Sequence, residues 1–123
     1  MTIDANIVIA YIAGDEAVVA ELSRLRQESQ PLFLSTIAEA EVLGFPGFTP
    51  NERERTARFL AAHFISISCD RAVAYRASQL RATLPIKLPD AIIAATALLT
   101  GTPLATRNTR DFKNVPALEI VSL

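Results

Sequence analysis

Short apolar runs alternate with helix-patterned segments along the whole of this 123-residue chain, and that alternation leaves few folds open. Thr2-Ile3-Asp4, Leu32-Phe33-Leu34, Phe64-Ile65-Ser66-Ile67 and Pro103-Leu104-Ala105-Thr106 read as strands, and Leu118-Glu119-Ile120-Val121 as a late strand at an edge. Between them lie helical patterns: one capped by Asn6 and ended by Gly14, one from Asp15, one from about Thr36 to Leu43, and a charged one from Thr49 or Asn51. Asp70 caps another, through about Leu84, and Asp90 leads an Ala-rich one that Gly101 ends. Side-chain oxygens at helix starts and glycine at helix ends satisfy the orphaned backbone groups there. Strand–helix alternation implies an α/β fold in three layers, with a mostly parallel sheet of four to five strands and helices on both faces. Right-handed crossovers gather the carboxyl ends of the strands on one side, where open α/β sheets bind their ligands.

Four acids fall near that edge. Asp4 ends the first strand, Glu41 interrupts the apolar stripe of the third helix, Asp90 opens the Ala-rich helix, and Asp111 follows the fourth strand. A carboxylate beside apolar elements costs several kcal/mol in order of magnitude unless something pairs with it. No buried Lys or Arg is evident for these four, so the pattern asks for a cation, and a divalent metal supplies one. Glu39 has a structural reading, as the third residue of a capping box begun by Thr36; Glu41 has none. Asp90 in a first helical turn is also favoured by the helix dipole. Asp111 pairs equally well with Asn108 as a cap. If the four converge without metal, their repulsion raises at least one pKa.

Much other chemistry is excluded. His63 is the only histidine and Cys69 the only cysteine, so neither a disulfide framework nor an N/S zinc tetrahedron can form. No nucleophile elbow and no Gly-rich phosphate loop is present. An all-oxygen donor set suits Mg²⁺ or Mn²⁺. With a net charge of -1, bulk charge does not advertise a nucleic-acid binder. The longest apolar run, Ala91 to Leu99, falls short of the ~20 residues of a membrane span, and nothing reads as a signal peptide. A single cytoplasmic domain over residues 1–123 is the expectation.

In order, these segments resemble a PIN domain, and in particular the VapC toxins of bacterial and archaeal toxin–antitoxin pairs. Ile3-Asp4-Ala5-Asn6-Ile7-Val8 is similar to that family's Asp-Thr-Asn-Val opening, with Ala5 in place of the usual Thr. Ser35 to Val42 resembles its Ser-x-Ile-Thr-x-x-Glu-Leu segment and aligns Glu41 rather than Glu39 with the acid. Leu88-Pro89-Asp90-Ala91-Ile92-Ile93-Ala94-Ala95-Thr96-Ala97 resembles the most specific family segment, and Leu104 to Phe112 the closing one. The Pro- and Gly-rich Gly44 to Pro50 departs from the pattern.

The resemblance implies a Mg²⁺- or Mn²⁺-dependent endoribonuclease. Asp4, Glu41 and Asp90 would be the metal ligands, Asp111 or Asn108 would complete the shell, and Asn6 and Thr106 would be polar supports. It also implies a VapB-like antitoxin as partner, and a homodimer through the first helices, with Ile9, Tyr11 and Ile12 supplying apolar surface. A catalytically degenerate PIN domain that binds RNA or protein is the alternative. A small phosphatase or a DNA-directed nuclease would use the same site chemistry.

Overall fold

In the computed structural model of the chain, which describes all 123 residues, five short strands form one all-parallel sheet flanked by helices. The elements run β1 (Thr2–Ile3), α1 (Ala5–Ile12), α2 (Glu16–Gln27), β2 (Phe33–Ser35), α3 (Thr36–Leu43), α4 (Pro50–His63) and β3 (Ile65–Ile67). They continue α5 (Arg71–Thr83), α6 (Leu88–Thr100), β4 (Leu104–Thr106), α7 (Thr109–Phe112) and β5 (Ile120–Ser122). The strand order is β3-β2-β1-β4-β5, and every pairing is parallel. The expected α/β fold is therefore present, with β5 at an edge as the sequence suggests.

The order reverses at β1: the chain first builds outward through β2 and β3, then returns to the other side of β1 with β4. A crevice outside the strand ends opens at such a reversal. Thr2 pairs with Leu104 and Ile3 with Ala105, so the residues that follow, Asp4 and Thr106, emerge side by side.

α6 fills the middle of the molecule. Ala91 to Ala97 are buried without interruption, on every side of the helix, as expected of a helix apolar all round. Small alanines let it approach closely, and its packing against α5 is the most extensive helix pair in the fold. Gly101 closes it at φ 66°, a conformation glycine adopts without a Cβ penalty. With Ile3, Ile7, Leu22, Leu34, Leu104 and Phe112, α6 forms one continuous apolar core. No single helix is long and apolar enough to cross a membrane.

Asp15 and Asp70 cap their helices as expected, and of the two starts left open for α4 Thr49 is the cap, in a full capping box with Glu52. Three local expectations need correction. Asp4, not Asn6, caps α1, because its Oδ1 already accepts the Ala5 N–H at 2.8 Å. Ser35, not Thr36, caps α3 through the Ile37 N–H, which moves Glu39 beyond the third position and leaves it no capping box. The Thr36 hydroxyl instead accepts from the Cys69 N–H at 3.2 Å and ties the β3–α5 connection to α3. Finally, α6 begins at Leu88 rather than Asp90, since proline is tolerated in a first turn.

Candidate functional site

Asp4 is the fixed point of the candidate site. It is 5% exposed, and both its oxygens are engaged. Oδ1 accepts from the Ala5 N–H; Oδ2 accepts from the Thr106 hydroxyl at 2.7 Å and the Asn6 amide at 3.3 Å. Thr106 Oγ1 in turn accepts from the Asn108 N–H at 3.0 Å and the Asn6 amide at 3.4 Å. A hydroxyl has one proton and two acceptor sites, so with both acceptor sites used the Thr106 proton is committed to Asp4. The Asn6 carbonyl accepts from the Arg107 N–H at 3.2 Å. Asn6, Thr106 and Asn108 thus form one polar network joining the starts of α1 and α7 across the strand reversal.

Three of the four acids titrate high. Burial pushes Asp4 above the ordinary carboxylate range, against the opposing hydrogen bonds from Thr106 and Ala5. Glu41 is raised by burial first, then by the negative charges of Asp4 and Asp90. Asp90 is raised by burial, then by Asp111 and Asp4, with Lys87 opposing. These mutual repulsions put all four acids in one electrostatic neighbourhood, although burial outweighs the repulsion that the sequence pattern emphasises. None of the four takes part in an ion pair: all four salt bridges lie elsewhere, on Arg24, Arg58 and Arg107.

The acids do not close on a common point. No group of three or more His, Cys, Asp or Glu side chains is gathered tightly enough to hold a metal as the side chains stand. Glu41 is exposed over most of its surface, with only its carboxyl partly desolvated, and it lies one residue away from the buried face of α3 that Ala38 and Val42 supply, so it does not sit in an apolar stripe as its spacing suggested. Asp111 is exposed as well, and the Asn108 amide holds its Oδ2 at 2.7 Å. That contact joins two side chains; Asn108 makes no side-chain cap on α7.

The donor set nonetheless fits a hard divalent cation. It is all oxygen and carries excess negative charge, and a bound cation would oppose the upward push on Asp4, Glu41 and Asp90. His63 takes no part: its ring packs on Phe59 at 4.6 Å, and burial, then Arg26, lowers its pKa. Cys69 is exposed and unpaired.

Sequence reasoning missed Lys87, Arg110 and Asn114. They line a cavity of about 180 Å³ that also includes Asp90 and Asp111. The available signal was adjacency, since Lys87 lies just before Asp90 and Arg110 beside Asp111. Of the helix-α1 residues expected at a surface, Ile9 and Ile12 are exposed and border an apolar groove with Val42, Phe45 and Phe48. Tyr11 instead turns inward: it stacks on Phe59 at 5.5 Å, and Arg26 donates to its hydroxyl at 3.1 Å.

Solved structures resemble this chain over nearly its whole length. A toxin–antitoxin complex from Klebsiella pneumoniae contains a chain 33% identical to it, with a TM-score of 0.74, covering 98% of this chain and 94% of that one. VapBC2 from Rickettsia felis, bound to a DNA fragment from its promoter, gives 21% identity and a TM-score of 0.85 over 99% and 97%. VapBC-1 from nontypeable Haemophilus influenzae gives 23% and 0.83 over 98% and 96%. Among curated proteins none matches. The sequence profile of the PIN domain matches residues 1–118, and the chain belongs to the PIN domain family.

Proposed function

We propose that the chain is a VapC-type toxin, a metal-dependent endoribonuclease that hydrolyses RNA phosphodiester bonds. The observation that carries this reading is the buried Asp4 with Glu41 and Asp90 in electrostatic contact, all three held above their ordinary pKa, none of them ion-paired, and only Lys87 opposing the rise, at Asp90. Asp4, Glu41 and Asp90 would hold Mg²⁺ or Mn²⁺, with Asp111 or Asn108 completing the shell. When bound, such an ion supplies Lewis acidity and a more acidic water.

The chain's own residues prepare that site. Thr106 and Asn6 fix the orientation of Asp4, and Asn108 fixes Asp111. With burial raising the acids, the metal-free site favours taking up protons; metal would displace them, so binding is coupled to proton release. Titration of Mn²⁺ into the protein at pH 7.5 tests this part directly. Binding to the wild type and its loss in Asp90→Asn supports the reading; equal binding by both proteins contradicts it.

The likeness to chains found in toxin–antitoxin complexes supports a VapB-like antitoxin as partner. The exposed Ile9 and Ile12 on α1 support a homodimer through this helix. Sedimentation of the isolated chain as a dimer, reverting to monomer in Ile9→Lys, is the expected result.

A further inference from the structure

We propose that the cavity between Lys87 and Arg110 receives the RNA nucleotide adjacent to the cleaved bond, with its phosphate against these two cations. This rests on the ribonuclease reading and adds to it a substrate subsite.

Most basic side chains of the chain are engaged within it, and the others that are not, Arg55, Arg71 and Lys113, do not line this cavity. Arg24, Arg58 and Arg107 are ion-paired, Arg53 donates to the Leu43 carbonyl, Arg26 to Tyr11, and Arg81 to the Ile86 carbonyl. Lys87 and Arg110 make no hydrogen bond and no ion pair within the chain, and both open onto the same cavity. Asn114 lines the same cavity and adds an amide donor. Lys87 also sits at the N-cap of α6, a 13-residue helix whose start has no side-chain cap, so the positive end of its dipole adds to the Lys charge.

Asp90 and Asp111 line the same cavity. One cavity thus carries anion-attracting and cation-attracting groups together. That is the arrangement needed where a phosphodiester is cut: carboxylates facing the reacting phosphate, cations holding its neighbour. Pro85 provides apolar surface for the sugar and base. Ile86, buried at 8% exposure and tied to Arg81, anchors the loop that presents Lys87, so this edge is formed in advance of binding.

The test compares Lys87→Ala/Arg110→Ala with a charge-matched pair that does not line the cavity, Arg55→Ala/Arg76→Ala. Binding of a fluorescent single-stranded RNA 12-mer is followed against salt, in an Asp4→Asn background so that the RNA survives, and cleavage kinetics in the otherwise native chain. Each phosphate contact on single strands contributes about 0.7 to the slope of log affinity against log salt. The cavity pair, which meets one phosphate, should lower that slope by about 0.7 and raise KM while kcat holds; the distant pair should change neither. If the two pairs weaken binding equally, or if the cavity pair leaves slope and KM unchanged while RNA is still bound and cleaved, the subsite is wrong and the ribonuclease reading stands. If the native chain neither binds nor cleaves RNA, both fall. Thermal unfolding of each variant establishes that the exposed substitutions leave the fold intact.

Discussion

The Thr106 hydroxyl donates to Asp4 Oδ2 at 2.7 Å, joining residues 102 positions apart across the reversal of strand order between β1 and β4. A buried carboxylate accepts a charge-assisted bond there, from a hydroxyl whose acceptor sites are both filled by backbone and amide N–H groups. The bond therefore belongs to the fold and to the candidate site together.

Replacing Thr106 by Val removes that donor while keeping the shape. A hydrogen bond to a charged group contributes about 1.5–3 kcal/mol, so a loss in this range is expected on denaturant unfolding at neutral pH. The Asp4 pKa should move further up, because one of the two bonds that oppose burial is gone. Thr106→Ser should restore most of the stability.

Phe112 is fully buried and anchors α7, which carries Asp111. Phe112→Ala should cost about 3–5 kcal/mol, measured by urea unfolding, and should release the Asn108–Asp111 pair from its place beside the cavity.

Gly101→Ala probes the end of α6. With φ at 66° an L residue pays about 1–2 kcal/mol. No other atom lies within reach of the added Cβ, so the cost is backbone strain alone. A melting temperature equal to the wild type's would contradict the left-handed cap.

The raised acids predict a pH dependence for the metal-free protein. A carboxyl whose folded pKa lies above its unfolded value binds more protons folded than unfolded, so its contribution falls as pH rises from the ordinary range near ~4 through the folded pKa. Asp4, Glu41 and Asp90 act in this sense. Asp15, Glu21 and Glu52 are lowered by hydrogen bonds from Arg107, Arg24 and Thr49 respectively, so what they contribute is fully present above ~4 and is lost only as pH falls below it. The windows do not overlap. In EDTA, Glu41→Gln should therefore melt higher than wild type at pH 7.5 and equally at pH 4, and added Mg²⁺ should stabilise the wild type more than the variant. The opposite order at pH 7.5 would mean that Glu41 does not feel Asp4 and Asp90.

The fold was legible where a single local rule decides. Asp15 and Asp70 each stand one residue ahead of a helical pattern, and each caps it. It was illegible where two neighbours compete for one role. Ser35 and Thr36 both can cap α3; Ser35 does, because the loop before α5 uses the Thr36 hydroxyl through a contact 33 residues away. Asp4 and Asn6 compete likewise, and tertiary contacts to Thr106 and Arg107 decide between them. At the candidate site, acids and their neighbourhood could be read from strand ends and helix starts, but the exposure of Glu41 could not, since spacing does not say which side of a short helix meets the core. Lys87 and Arg110 became visible only once α6 and α7 were seen to share a cavity.

Cleavage of RNA by the purified chain in Mg²⁺ or Mn²⁺, against the same reaction in excess EDTA and with Asp4→Asn, tests the central claim most directly. The account predicts internal cuts that need the metal and vanish in Asp4→Asn, while circular dichroism of the variant stays native, since Asn can also cap α1. Cleavage that persists in EDTA or in Asp4→Asn, or a well-folded wild type that cuts no RNA with either metal, would contradict it.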